Sequence, residues 1–589
     1  MNRNVVKGFR SEEIPVAVIG MACRTSAGED SRSLWDLLSR AECAIKDVPP
    51  ERLPSIDPGP VAAEPMRAAL LEDPAAFDAE FFRISRRMAA WMDPHQRTLL
   101  ELTWHALEDA AIAPHTLCGT DVAVFAAAGM SDYRERMVAA GRVDGAALPG
   151  TLMAFVANRI SHQFDWTGPS YVMDAACASG LSVLAPAMTG LRTREFPLAA
   201  VMAANITTNG FYTSSAYRTG ALSPTGRSVP FSGRHDGYIR GDGAACLILK
   251  RLDDALADGD PVQAVIRGIA LAHNGRAGGL TGSASEPQSR LLTRVARASG
   301  VPLHSLGHLE AHGTGTSGDR SEIQGLAAAL AGQEGGQRPA GGPGGRLWVG
   351  TLKANIGHLE MAAGLLGVVK SVLILRHGLI PAIPGLQGRD PAIDWGDVPI
   401  ALADHPVPWP ANGDVRRLAV NSFGIGGAIA CALLEDAPDR PAPTAGYGPL
   451  PVPISAGCPD SLRLLAAGLE RSLTDEDPGR LPALARTLQT GRDGLAERRV
   501  LVADAPHRLR DALTALAAGR RHPAVAADGD SAALTALAPG AATAAARWLS
   551  GGDTAWPVPP GPGPVRLSGL PGHPFRRRHH WFDTRRPMN

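Results

Sequence analysis

The chain has no surplus of either charge. Its 58 lysines and arginines match 58 aspartates and glutamates, so no global field draws it to nucleic acid or to an anionic membrane surface. It lacks any uninterrupted apolar run near the ~18 residues that a membrane-spanning helix requires. Its first residues, Met1-Asn-Arg-Asn-Val-Val-Lys-Gly8, lack the apolar centre of a secretory signal. It also lacks a Cys-x-x-Cys pair. The seven cysteines (23, 43, 118, 177, 246, 431 and 458) are scattered and odd in number, which argues against zinc or redox-dithiol chemistry. Together these absences predict a cytoplasmic protein with reduced thiols, no nucleic-acid or membrane partner and no metal. What is present is a 589-residue chain, 45% hydrophobic. That suffices for a large core, in several domains or in one two-lobed unit with accessories.

Ile14-Pro-Val-Ala-Val-Ile-Gly20 is a β-branched run closed by glycine and reads as a buried strand. Residues 89–112 carry Leu99, Leu100, Leu102, Ala106 and Leu107 at helical spacing after an Asp93-Pro94 start, predicting a long amphipathic helix. A strand over 172–177 leads into a helix over 179–191, and further strands are predicted at 199–203, 244–249, 262–269, 347–350 and 418–420, with a helix over 360–376. Strands alternating with helices over the first 435 residues predict a layered α/β architecture. The glycine-rich stretch 332–345 reads as a surface loop, and the proline-dense stretch 436–446 as a linker. Beyond it, helices at 461–473 and 507–518 and a strand at 499–503 predict a small α/β appendage. An extended segment from Pro557 leads to a basic, aromatic tail, Phe575-Arg-Arg-Arg-His-His-Trp-Phe582, read as a charged strap over another surface rather than a nucleic-acid site.

Three separated motifs carry the chemistry: Met173-Asp-Ala-Ala-Cys177-Ala-Ser-Gly180, Glu310-Ala-His312-Gly-Thr-Gly-Thr316 and Lys353-Ala-Asn-Ile-Gly-His358. Each alone admits a structural reading, since a lone cysteine is commonly an inert buried thiol and a lone histidine a satisfied core residue. Together they supply a thiol, two imidazoles and an ammonium. Cys177 at a strand-to-helix junction is flanked by small residues, and amides at a helix start can favour a thiolate and receive an oxyanion. Decarboxylation of a malonyl thioester builds negative charge on the thioester oxygen, which two fixed N–H donors would stabilise. Lys353, Asp319 and Glu322 read either as a surface ion network or as a buried one that orients the histidines.

With these motifs, Val18-Ile-Gly-Met-Ala-Cys-Arg24, Met92-Asp-Pro-His-Gln-Arg97, Ala157-Asn-Arg-Ile-Ser161, Gly237-Tyr-Ile-Arg-Gly-Asp-Gly243 and Asn421-Ser-Phe-Gly-Ile-Gly-Gly427, the chain resembles the β-ketoacyl synthase family. The likeness is greatest to the ketosynthases of modular polyketide synthases whose acyltransferase acts in trans. Leu488-Gln-Thr-Gly-Arg492 and Leu570-Pro-Gly-His-Pro-Phe575 resemble the flanking subdomain and tail of such proteins. The resemblance implies a thiolase-like fold of two stacked βαβαβαββ halves in residues 1–438, a linker at 439–449, an α/β flanking subdomain at 450–556 and a wrapping tail at 557–589.

By matching position, Cys177 would be the acylated nucleophile, His312 and His358 the decarboxylation and condensation histidines, and Lys353 a supporting residue. Backbone N–H groups of Cys177 and Ile425 would form the oxyanion hole. Thr314 and Thr316 would contact the phosphopantetheine arm; Phe423, Gly424, Gly426 and Gly427 would line the gate between acyl pocket and entrance; Asp319 and Glu322 would support the network. The chain departs from the family in Ala-Ala-Cys-Ala-Ser around the nucleophile, in a shortened segment before Asp319, and in Ala428-Ile-Ala-Cys431 where Thr-Asn-Ala-His is usual. Neither an acyltransferase elbow, a carrier-protein attachment site nor a reductase's nucleotide fingerprint is expected within it. The implied activity is a 3-oxoacyl synthase, with no bound cofactor, as a homodimer. Its partners would be acyl carrier proteins, a separate acyltransferase and other synthase modules. A non-elongating acyl transfer and a non-catalytic chain-length-factor role remain alternatives.

Overall fold

The β-branched run at the start of the chain forms β1 (Val16–Thr25), buried along its whole length. It lies near the middle of an eleven-stranded mixed sheet in a computed structural model that describes residues 14–53, 66–141, 143–227, 229–233, 235–332, 341–396, 398–439, 448–473, 480–552, 554–557 and 566–582. The first lobe adds β2 (Val122–Ala127), β3 (Ser170–Met173), β4 (Leu198–Asn205) and β5 (Gly243–Arg251). The second contains β6 (Ala264–His273), β7 (Leu306–Glu310), β8 (Leu347–Gly350), β9 (Ile400–Leu402), β10 (Arg417–Phe423) and β11 (Ala428–Asp436).

The strand order is β9-β8-β7-β10-β11-β6-β1-β5-β4-β2-β3. Read outward from the centre, each lobe repeats one topology: β6-β11-β10-β7-β8 answers β1-β5-β4-β2-β3, and β9 is an extra edge strand. The lobes join where β1 pairs antiparallel with β6, Val16 opposite Ile266 and Val18 opposite Ala264. This is the thiolase-like arrangement. Strands β2 and β4 are buried at every position, the signature of strands covered by helices on both faces.

Helices α1 (Pro94–Asp109), α2 (Ser179–Ser182), α3 (Leu184–Thr193), α4 (Gly318–Ala331) and α5 (Ala363–His377) position the site. In α5 every residue from Ala363 to Leu375 is buried, Lys370 and Ser371 included, so the helix is enclosed on every side. Helices α2 and α5 meet backbone to backbone. A Cβ on Gly180 would lie 2.8 Å from the Met361 carbonyl oxygen, and one on Gly364 would lie 2.9 Å from Leu181 N.

The expected amphipathic helix over 89–112 is two helices, Arg86–Trp91 and α1, and α1 is not amphipathic in its burial. Its polar residues Arg97, Glu101, Glu108 and Asp109 are buried with the apolar ones because the tail runs over them. Glu101 accepts from Arg577 at 2.7 Å and from Arg24 at 2.5 Å; Glu108 accepts from His573 N and Asp109 from Gly569 N. Arg97 donates to the His580 carbonyl, and Phe582 N donates to the Tyr133 hydroxyl. The basic residues of the tail thus meet buried carboxylates of the first lobe.

The appendage is a three-stranded antiparallel sheet, β12 (Leu450–Ala456), β13 (Glu497–Ala503) and β14 (Val525–Ala526), with helices Pro459–Ser472, Arg480–Thr490, Pro506–Ala517 and Pro539–Leu549. Strand β12 escapes a sequence reading because Pro451 and Pro453 mask it, and prolines are tolerated on an edge strand such as this. One expectation needs correcting. The string Asp460-Ser461-Leu462 does have the lettering of a carrier-protein attachment site, but Ser461 is 2% exposed and its hydroxyl donates to the Pro574 carbonyl at 2.7 Å. It is a tail anchor. The segments 333–340, 440–447 and 558–565 of the expected loop, linker and extended stretch lie outside the described residues. Among the described residues no helix is long and apolar enough to cross a membrane.

Replacing Glu101 by alanine leaves buried Arg24 and half-buried Arg577 sharing only the exposed Glu29, and removing one partner of a buried pair costs about 3–5 kcal/mol. Guanidinium unfolding should show that loss, and limited proteolysis should cut the tail of Glu101→Ala faster than that of the parent chain.

Candidate active site

Cys177 sits in a tight turn between β3 and α2. The Asp174 carboxylate accepts from Ala176 N at 2.9 Å, and the Ser179 hydroxyl donates to the Ala176 carbonyl while accepting from Ala175 N. Ala176 is held at φ 51, a left-handed conformation disfavoured for a side chain with a Cβ. Cys177 as a residue is partly exposed in this turn, but its sulfur is buried, with the N–H groups of Ile425 and of Cys177 itself directed toward it. Burial, reinforced by Glu360 and opposed by Lys353, pushes the thiol up to about 12. The expectation that the helix start favours a thiolate is therefore corrected: desolvation outweighs the amides and the ammonium, and Cys177 is a thiol at neutral pH.

His312 follows β7 in a loop whose amides are bound by two carboxylates one turn apart on α4. Glu322 accepts from His312 N at 2.8 Å and Gly313 N at 2.9 Å; Asp319 accepts from Thr314 N at 2.9 Å and Gly315 N at 3.1 Å. Asn421 also donates to Glu322, and Phe231 N to Asp319. Burial raises both carboxyls, against these hydrogen bonds. Asp319 and Glu322 are thus buried, and they grip the backbone of the loop rather than an imidazole or Lys353. The expectation that no nucleotide fingerprint occurs needs correcting in its lettering, although the same contacts rule out the function. Gly313-Thr-Gly-Thr-Ser-Gly318 has the spacing of a nucleotide-binding loop, but the amides that would cradle phosphate are already taken by carboxylates.

His358 follows the short helix Lys353–Ile356, in which all residues are buried. Gly357 turns at φ 69, and His358 N donates to the Ile239 carbonyl at 2.6 Å. The His312 and His358 rings stand edge to face, 5.4 Å apart at 84°. His312 Nδ1 accepts from Phe423 N at 3.3 Å, and His358 Nδ1 accepts from Glu360 N at 3.1 Å. An imidazole whose Nδ1 accepts a backbone N–H carries its proton on Nε2. Burial, then the Lys353 charge, holds both rings well below 6.5. Two neutral imidazoles therefore each present an Nε2–H. Burial also pulls Lys353 below the ordinary lysine range, against Glu310, Glu322, Cys177 and Asp319.

Thr314 and Thr316 exchange a hydroxyl hydrogen bond of 2.9 Å in the same loop. Phe423 packs 5.4 Å from the His312 ring. Gly424 to Gly427 form a tight turn, closed by Gly427 N to the Gly424 carbonyl at 2.9 Å. Ile429 and Cys431, which follow this turn, are buried in an apolar cluster, so hydrophobic contact stands where the family's polar pair is usual.

A sequence reading misses two sets of residues. Glu360, at φ 44, accepts from Arg240 at 2.8 Å and Tyr238 at 3.4 Å beside His358. The signal was in Gly237-Tyr-Ile-Arg-Gly-Asp-Gly243, noted above with no role attached. Behind the site, Lys370 pairs with Glu310 at 2.6 Å, both nearly inaccessible. Burial works against the Glu310 charge, but Lys370 and His308 outweigh it and hold the carboxyl at about 2. Among the described residues no group of three His, Cys, Asp or Glu could hold a metal ion.

Residues 13–255 match the family described as "Beta-ketoacyl synthase, N-terminal domain", and residues 263–387 its C-terminal domain. The chain belongs to the β-ketoacyl synthase family. Enzymes of this family are acyltransferases. Residues 454–520 match a "RhiE-like, KS-MAT linker domain". The oxazolomycin ketosynthase domain of Streptomyces albus superposes with a TM-score of 0.86 at 30% identity, over 97% of this chain and 99% of that one. The ketosynthase from module 6 of the bacillaene synthase of Bacillus subtilis gives 0.84 at 26% identity, over 97% and 100%. A spectinabilin polyketide synthase system protein of Streptomyces orinoci is 40% identical over 89% of this chain. A 5-methyl-1-naphthoate synthase of Streptomyces sahachiroi is 36% identical over 87%. The chain spans 14% and 29% of the length of these two curated relatives.

Alkylation of Cys177 should accelerate with pH well past 9 and show no plateau near neutrality. Because Glu360 raises this thiol, Glu360→Gln should increase the iodoacetamide rate at pH 8, and Lys353→Met should decrease it. Rates measured by intact mass would check both signs.

Proposed function

We propose that this ketosynthase catalyses a decarboxylative condensation between an acyl group on Cys177 and a malonyl group on a carrier protein. The observation that carries the reading is the pair of neutral imidazoles, edge to face at 5.4 Å, each with its proton on Nε2. Acylation exchanges one thioester for another. The Cys177 sulfur takes the acyl carbon, the carbonyl oxygen rests on the amides of Cys177 and Ile425, and the arm's sulfur leaves with the Cys177 proton. In the second half, the malonyl C–C bond breaks to release carbon dioxide, and the electron pair passes to the thioester oxygen as an enolate. His312 and His358 stabilise that oxygen from Nε2. The enolate carbon then attacks the acyl-Cys177 carbonyl, collapse of the adduct breaks the C–S bond, and the departing thiolate takes a proton from solvent to restore the cysteine. Ping-pong kinetics follow.

Carrier-bound phosphopantetheine suits this site because the Thr314 and Thr316 hydroxyls, in the loop that carries His312, can contact its polar arm. A separate acyltransferase and neighbouring synthase modules complete the proposed set of partners. A homodimer is supported by the outer edge of the sheet: β3 is the edge strand of the first lobe, with Tyr171 exposed on it, and an open edge invites pairing.

Intact-mass analysis tests the reading. Acylated chain given a malonyl carrier should yield a product two carbons longer with carbon dioxide released, and Cys177→Ala should yield none. An acyl group of unchanged length on a new acceptor would favour simple transfer. His312→Ala and His358→Ala should each slow decarboxylation by about a hundredfold or more while leaving acylation of Cys177 in place. Since both rings are already neutral, the decarboxylation rate should stay level as pH falls from about 8 to about 6.5; a decline through that window would mean that one ring titrates there.

A further inference from the structure

The turn that supplies the Ile425 amide is the least self-supporting part of the site. Three of its four residues, Gly424, Gly426 and Gly427, are glycines, which explore backbone conformations freely. The strand that follows begins Ala428-Ile-Ala, so no polar side chain there can hold the turn from within. Ile425 itself is 56% exposed. Yet the Ile425 N–H must stay aimed at the sulfur.

The restraint comes from outside, from the end of β6. His273 lies opposite Ala428 in the antiparallel register. Its Nδ1 accepts from Gly275 N at 2.9 Å, and its Nε2 lies 2.9 Å from the Gly426 carbonyl oxygen. With Nδ1 accepting, Nε2 carries the proton and donates it to Gly426. Next to it, Asn274 N donates to the Gly427 carbonyl at 2.8 Å. The ring also lies against Gly427, where a Cβ would come within 2.9 Å of it, and Gly427 is held at φ 90. Two successive carbonyls of the turn are thus tied to the end of β6, one by a side chain.

We infer that His273 is a positioning residue for the oxyanion hole, holding the Gly424–Gly427 turn so that the Ile425 N–H meets the acyl oxygen on Cys177. It touches neither substrate nor sulfur and acts through the Gly426 carbonyl. This rests on the assignment of Cys177 as the acylated residue. Losing the bond frees a glycine-rich turn, and displacement of one oxyanion donor costs about a hundredfold in rate.

The test separates acylation from alkylation. Acylation of Cys177 by a short-chain acyl thioester of N-acetylcysteamine needs the oxyanion hole; alkylation by iodoacetamide does not. His273→Leu should slow acylation by about tenfold to a hundredfold and alkylation far less, with the unfolding midpoint unchanged. His273→Gln, whose amide can reach the same carbonyl, should recover most of the loss. Equal acylation rates in His273→Leu and the parent would overturn the proposal, as would parallel losses of acylation and alkylation. Failure of the parent to acylate at all would instead overturn the assignment of Cys177.

Discussion

The site exists because two buried helices touch through glycine. Gly180 on α2 and Gly364 on α5 let the helices approach until backbone meets backbone, and no larger residue fits at either place. Cys177 lies two residues ahead of α2, and His358 lies just ahead of α5. Their contact therefore brings the Cys177 thiol of the first lobe within electrostatic reach of Lys353 and Glu360, which flank His358 in the second. The Ser422 hydroxyl, from β10 beside them, donates to the Cys177 carbonyl at 2.7 Å and ties the Cys177 turn to the opposite lobe. The repeated topology of the lobes, joined along β1 and β6, makes this meeting symmetrical: equivalent helices from two halves cross at one point.

Around that crossing, the backbone does most of the positioning. Glu322 and Asp319 bind the amides of four successive residues from His312 to Gly315. Backbone N–H groups of Phe423 and Glu360 set both imidazole tautomers. The chemistry then follows from protonation states that burial enforces: a thiol rather than a thiolate, and imidazoles rather than imidazoliums. A thiol with a raised pKa resists adventitious alkylation, while donor groups already in place require no reorganisation when charge develops.

Much of this was legible in the sequence for a physical reason. Strands covered on both faces write near-continuous apolar runs, so β1, β4, β5 and β8 announce themselves. The chemistry-bearing residues sit in loops at strand ends, where glycine and small residues mark tight turns. What was not legible depends on contacts between distant segments. The burial of Arg97 and Glu101 becomes intelligible only once the tail lies over α1. Asp460-Ser461-Leu462 and Gly313-to-Gly318 carry the lettering of other functions, which burial and carboxylate contacts annul. The roles of Glu360 and Arg240 require Tyr238 to be brought beside His358, a juxtaposition of residues far apart in the chain.

The central claim is that two neutral imidazoles jointly receive the charge of a decarboxylating thioester. A crystal structure of the chain with a non-hydrolysable malonyl thioester mimic tests it most directly. The account predicts the mimic's carbonyl oxygen at about 2.7–3.1 Å from Nε2 of both His312 and His358. An oxygen bound instead at Arg240, or within reach of only one ring, would contradict it.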